Sequence, residues 1–97
     1  MKNTWRSLKR KSMAYRLELS HTAHRQVRRL PALIQERVNK AIARLAENPR
    51  PPGIKKLTAM DGYRVRVGDY RILYQIRDDV SLVVIYRVMG RGEVYRG

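Results

Sequence analysis

Around a Gly68-Asp69 pair, cationic and apolar side chains alternate: Tyr63-Arg64-Val65-Arg66-Val67 precede it and Tyr70-Arg71-Ile72-Leu73-Tyr74 follow. A two-residue hairpin turn at Gly68-Asp69 sets Val67 opposite Tyr70, Arg66 opposite Arg71, Val65 opposite Ile72 and Arg64 opposite Leu73. Side chains alternate between the faces of a strand, so Tyr63, Val65, Val67, Tyr70, Ile72, Tyr74 and Ile76 share an apolar face, and Arg64, Arg66 and Arg71 share the other. Directly opposed like charges cost some tenths of a kcal/mol, so folding alone gives no reason to set Arg66 against Arg71. An anion held between them supplies one, and phosphate binding is the chemistry this cluster points to. The competing reading is a solvated face, on which arginine stems cover apolar surface while their heads stay in water.

Other chemistries find little support. The chain has no cysteine, which removes thiolate nucleophiles, disulfides and most structural zinc sites. His21 and His24 stand three apart, away from the arginine-bearing strands, and read as surface or capping residues. Asp61, Asp69, Asp78 and Asp79 all fall at turn signals, where aspartate bonds its own backbone, so no metal or other cofactor is expected. Gly90 and Gly92 lack the third glycine and following helix of a dinucleotide motif.

The elements that must position the arginines follow from periodicity. Residues 14–19 alternate as a half-buried strand, with Tyr15, Leu17 and Leu19 apolar. Ser20 suits a helix N-cap, and Ala23, Val27 and Leu30 follow at helical spacing. Pro31 fits the start of a second helix with a stripe of Ile34, Val38, Ala41, Ile42 and Leu45, stopped by Asn48 and Pro49. The PRPPG of residues 49–53 can neither continue the helix nor enter a central strand. After the hairpin of residues 63–77, Asp78-Asp79 reverses the chain, and residues 80–88 form an apolar, β-branched run that suits a central strand. The order is β-α-α-β-β-β, an α+β fold whose antiparallel sheet carries a helical hairpin on one face.

Ninety-seven residues allow one small domain, here residues 13–97, preceded by a basic arm over residues 1–12. Against 22 Lys and Arg stand 8 Asp and Glu, a net charge of +14. Polyanions are the expected partners, bound with steep salt dependence. No apolar run reaches the 18 or so residues of a membrane span and the arm lacks a signal's apolar segment, so the expectation is a cytoplasmic protein without a membrane partner.

The run GYRVRVGDYRILYQI over residues 62–76, the apolar strand after it and GRGEVYRG over residues 90–97 resemble the C-terminal half of the RelE family of bacterial toxins, in the RelE/ParE superfamily. YRLELS, the helical hairpin and the KKL of residues 55–57 are similar too, so the likeness spans residues 14–97. The resemblance implies a toxin of a type II toxin-antitoxin system: a ribosome-dependent endoribonuclease that cuts mRNA in the decoding site and halts translation. It also implies a small acidic antitoxin, and a toxin-antitoxin complex that binds operator DNA. By the same likeness Arg64, Arg66, Arg71, Arg91 and Tyr95 are the catalytic set, with Lys55 and Lys56 among the phosphate contacts. Other members often carry lysines where Arg64 and Arg66 stand, and a further His and Arg about Arg91, where this chain has Gly90 and Gly92.

Cleavage of RNA by its own 2′-hydroxyl needs a base for that proton, positive charge on the phosphorane oxygens, and a proton or cation for the leaving 5′-oxygen. Arginines meet the second need and part of the third, at roughly 3–4 kcal/mol per well-placed donor. They stay charged at ordinary pH and cannot exchange protons, which leaves Tyr95 as the candidate base if neighbouring cations favour its phenolate. Its alternative is an aromatic packed on the sheet edge. Two other functions compete: a non-enzymatic toxin of the ParE branch that binds DNA gyrase, and a basic RNA- or ribosome-binding module without activity.

Overall fold

The computed structural model describes residues 14–58 and 60–90. In chain order these form β1 (Arg16–Leu19), α1 (His21–Arg28), α2 (Ala32–Glu47), β2 (Lys55–Lys56), β3 (Tyr63–Val67), β4 (Tyr70–Arg77), a 3-10 turn (Asp78–Val80) and β5 (Leu82–Met89). The arm of residues 1–12 lies outside the described residues.

The expected helix caps are present. Ser20 Oγ accepts a hydrogen bond from the Ala23 amide at 3.0 Å, satisfying one of the free N–H groups of the first turn of α1. The same hydroxyl donates to the Tyr86 carbonyl at 2.9 Å, which fixes the start of α1 against β5. Pro31 takes the N-cap position of α2, and Asn48 ends that helix with its amide bonded to the Arg44 carbonyl. The buried Pro49 carbonyl accepts from the Tyr74 hydroxyl at 2.7 Å, tying the helix exit to β4.

The sheet order is β1-β5-β4-β3-β2. Strands β2 to β5 are antiparallel to their neighbours, but β1 pairs with β5 in parallel, so the sheet is mixed where the sequence suggested a purely antiparallel one. Parallel neighbours need a long crossover, and everything between β1 and β5 supplies it: the helices carry the chain to the far edge, and the β3-β4-β5 meander returns it beside β1. Strand β1 is shorter than the alternation suggested, because the Tyr15 amide bonds the Ala46 carbonyl instead of joining a ladder. Strand β5 starts later than expected because the 3-10 turn and Ser81, at φ 52°, consume the reversal. The two-residue β2 has no periodicity by which a sequence reading finds it.

Both helices pack on one face of the sheet. Ala23 and Val27 of α1, with Val38, Ile42 and Leu45 of α2, form a single core with Ile72, Tyr74, Val83, Ile85 and Val88 of the sheet. Each fully buried aliphatic side chain there contributes roughly 1.5–3 kcal/mol.

Candidate active site

Gly68 adopts φ 60° while Asp69 has no positive φ, the pattern of a type II′ turn whose twist matches that of the strands it joins. This turn fixes the register: Val67 pairs with Tyr70, Arg66 with Arg71, Val65 with Ile72 and Arg64 with Leu73. Each pairing expected from the sequence is observed. Ile72 and Tyr74 lie in the core beneath the helices, so Arg64, Arg66 and Arg71 project from the opposite face.

Lys55 lies opposite Arg64 and joins that face, whereas Lys56 lies opposite Tyr63 and belongs to the helix side. On the other flank, Leu73 faces Arg87 of β5, and Arg71 faces Met89. Two cross-strand rows result, Lys55-Arg64-Leu73-Arg87 and Arg66-Arg71-Met89. Leu73 and Met89 are buried, at 1% and 2% exposure, outside the helix-side core. Arg64 and Arg71 are half-buried and Arg66 and Arg87 exposed, as expected of stems lying on apolar surface with charged heads in water.

Arg66 and Arg71, with Gly68, Asp69 and Tyr70, line a hollow of about 270 Å³ at the hairpin end. Beyond β2 the edge of β3 is open, and there Arg66 also borders a larger hollow of about 490 Å³ whose other cations are Arg37, Lys40 and Arg44 of α2. The larger space lies away from the paired arginines, and Arg66 and Gly68 border both. Among the described residues the ion pairs are Lys40–Glu36, Arg50–Asp78 and Arg77–Asp79, none of them on the rows just described. Arginines opposed across a strand pair, without carboxylate partners among these residues, have the charge and the free donors that a polyanion's oxygens can accept from.

A second cluster of ionisable groups, away from the arginine rows, ties elements of the fold together. Arg50 grips Asp78 with Nη2 on Oδ2 at 2.8 Å and Nη1 on Oδ1 at 3.3 Å, and the Tyr15 hydroxyl donates to Oδ1 at 2.6 Å. The hydrogen bonds from Arg50 and then Tyr15 hold the Asp78 carboxyl below its usual range, and bonding to Asp78 raises the Tyr15 phenol. The Arg50 guanidinium also stands 5.9 Å from the centre of the Tyr63 ring. Burial, with a smaller contribution from Tyr63, pushes the Tyr74 phenol up to about 12. Both hydroxyls are engaged as donors, Tyr15 to Asp78 and Tyr74 to the Pro49 carbonyl, and both shifts disfavour the phenolate that a base would need. His21 and His24 are exposed on α1, and no group of three His, Cys, Asp or Glu able to hold a metal occurs among the described residues.

Arg91 and Tyr95 lie outside the described residues. The sequence reading missed Arg87. Its signal was there: a lone cation inside the apolar run of a central strand must find a polar face.

The family model for the ParE toxin of the type II toxin-antitoxin system parDE matches residues 17–95. Toxin RelG of Mycobacterium tuberculosis is 35% identical over 86 residues, covering 87% of this chain and 99% of RelG. The mRNA interferase toxin RelE of Escherichia coli is 30% identical over 87 residues, covering 86% of this chain and 92% of that protein. The fold superposes on a chain of the intact E. coli RelBE toxin-antitoxin complex with a TM-score of 0.71 and 30% identity, covering 84% of this chain and all of that one. With the family model spanning most of the chain and these relatives matching nearly end to end, the chain belongs to the RelE family of type II toxins, within the RelE/ParE superfamily.

Proposed function

We propose that this toxin is a metal-independent endoribonuclease that cleaves mRNA in the decoding site of the ribosome. The observation that carries the reading is the face bearing Lys55, Arg64, Arg66 and Arg71, on which two arginines oppose each other without a carboxylate partner among the described residues. A phosphodiester seated between Arg66 and Arg71 relieves their repulsion, and the charge that grows on its oxygens during attack strengthens the same contacts. The arrangement therefore favours the transition state over the ground state. The E. coli relative bearing the name mRNA interferase supports this choice of substrate.

In this mechanism the 2′-hydroxyl attacks the adjacent phosphorus and the 5′-oxygen leaves, giving a 2′,3′-cyclic phosphate. Arg64, Arg66 and Arg71 hold the phosphate and its developing charge. Arg91 is assigned to offset the charge of the leaving 5′-oxygen until water protonates it to a 5′-hydroxyl, and Tyr95, as phenolate, is assigned as the base that takes the 2′ proton. These groups are weak proton carriers, which explains a need for the ribosome to orient the substrate first.

The solved relatives include RelBE toxin-antitoxin complexes, which supports a cognate antitoxin as partner; it is proposed to be acidic and to neutralise the toxin, and the pair is proposed to bind operator DNA. Mapping mRNA 5′ ends after brief expression is the test. Cuts within translated codons leaving 5′-hydroxyl ends support the reading. Intact mRNA with stalled DNA gyrase moves the protein to the ParE mode, and 5′-phosphate ends imply a metal-activated water.

A further inference from the structure

We infer that Arg87 is a further RNA-binding residue of this toxin, turned onto the arginine face by a β-bulge at Tyr86 to hold a phosphate beside the scissile one. The inference rests on the reading of that face as an RNA site and extends it to β5.

The bulge is read from the ladder. Leu73 pairs with Arg87 and the next residue, Tyr74, pairs with Ile85, so Tyr86 is an extra residue on β5. Ile85 and Val83 are fully buried in the helix-side core. Strict alternation from Ile85 puts Arg87 on that same side and Val88 on the arginine face. The extra residue inverts both: Val88, 3% exposed, enters the core, and Arg87 emerges opposite Leu73. A bulge interrupts a central ladder and re-aims the side chains beyond it, a device common beside active sites.

The position gained is specific. Arg87 ends the row Lys55-Arg64-Leu73-Arg87, which crosses four strands and so spans about 14 Å at roughly 4.8 Å per strand. Because Arg71 faces Met89, Arg87 is also the diagonal neighbour of Arg71, at a separation of roughly 7–8 Å that long side chains bridge. Arg71 thus stands between Arg66, directly opposite, and Arg87, diagonally across. A span of this length exceeds one phosphodiester, so a strand seated at Arg66 and Arg71 carries its neighbouring phosphate toward β5. Keeping a cation out of the core is the competing purpose of the bulge, and a neutral polar side chain at position 87 serves that purpose equally well.

Arg87→Gln and Arg87→Lys separate the two purposes, with Arg64→Ala as the positive control and thermal unfolding as the check that all three remain folded. Binding of a 2′-O-methyl single-stranded RNA, which cannot be cleaved through its own 2′-hydroxyl, is measured over a salt series. Loss of one phosphate contact lowers the slope of log affinity against log salt by about 0.7. We expect that decrease in Arg87→Gln and its recovery in Arg87→Lys. In single-turnover cleavage on programmed ribosomes, Arg87→Gln should raise the half-saturating toxin concentration about tenfold and leave the saturated rate within about twofold, as for a lost charge-assisted contact away from the reacting atoms. A slope unchanged in Arg87→Gln but lowered in Arg64→Ala overturns the inference and leaves the proposed function standing. Absence of cleavage by the unaltered toxin overturns the proposed function, while the binding measurement still decides the role of Arg87.

Discussion

Arg66→Ala tests whether the opposed arginines exist for the fold or for a ligand. Arg66 is exposed and lies directly across from Arg71, without an ion-pair partner among the described residues. Truncating it removes little packing and relieves one like-charge pair, so folding stability should hold or rise by a few tenths of a kcal/mol. The same change removes a donor from the hollow shared with Arg71, and a donor aimed at developing phosphorane charge contributes about 3–4 kcal/mol to the barrier. Cleavage should therefore slow by a factor on the order of 10²–10³ while stability is unchanged or better. Urea unfolding and single-turnover cleavage on programmed ribosomes measure the two quantities on one preparation. Arg25→Ala, an exposed cation on α1, is the charge-matched control and should alter neither. The reasoning fails if Arg66→Ala loses more than about 1 kcal/mol of stability or cleaves at the original rate, since either result makes the pair a structural feature.

Tyr95→Phe should retain ribosome binding and slow the cleavage step by about 10² or more, the usual scale for losing a general base; an unchanged single-turnover rate removes Tyr95 from the mechanism. Because the Tyr74 phenol is raised from 10.0 to about 12 in the fold, its contribution is complete below about pH 10 and is lost as pH climbs toward 12. Tyr74→Phe should flatten that alkaline loss in a pH series of unfolding midpoints, and at neutral pH should cost roughly 1–3 kcal/mol by stranding the buried Pro49 carbonyl. Asp78 behaves oppositely: its lowered carboxyl contributes stability above the ordinary carboxylate range that is lost as pH falls through its folded value, and Asp78→Asn should remove that acid-side dependence. Gly62→Ala should destabilise by at least about 1–3 kcal/mol, since Gly62 sits at φ 131° and a Cβ there meets the Tyr74 carbonyl oxygen at 2.6 Å; an unaltered unfolding midpoint contradicts the packing described.

The hairpin was legible in the sequence because its register depends on local chemistry. Gly68 permits the turn, alternation assigns the faces, and Arg66 must then meet Arg71 whatever the rest of the chain does. Ser20, Pro31 and Asn48 were legible for the same reason, each acting on its own helix end. What the sequence withheld depends on contacts between distant segments. The parallel pairing of β1 with β5 is settled only when the meander returns to the far side of the sheet, and Lys55–Lys56 becomes a strand only because β3 offers it an edge.

Position 87 shows how a local rule and a tertiary constraint conflict. Alternation through Val83 and Ile85 assigns Arg87 to the core, where an unpaired guanidinium is costly, while the core lacks an apolar group that Val88 can supply. One inserted residue resolves both demands, and its consequence is a sheet whose faces divide the work. On the helix side the side chains hold the protein together, so substitutions there should change stability first. On the other face arginines oppose one another around buried Leu73 and Met89, so under the proposed function arginine substitutions there should change RNA binding and cleavage while the fold persists. That division is why a stability measurement beside each activity measurement can tell a site residue from a packing residue in this toxin.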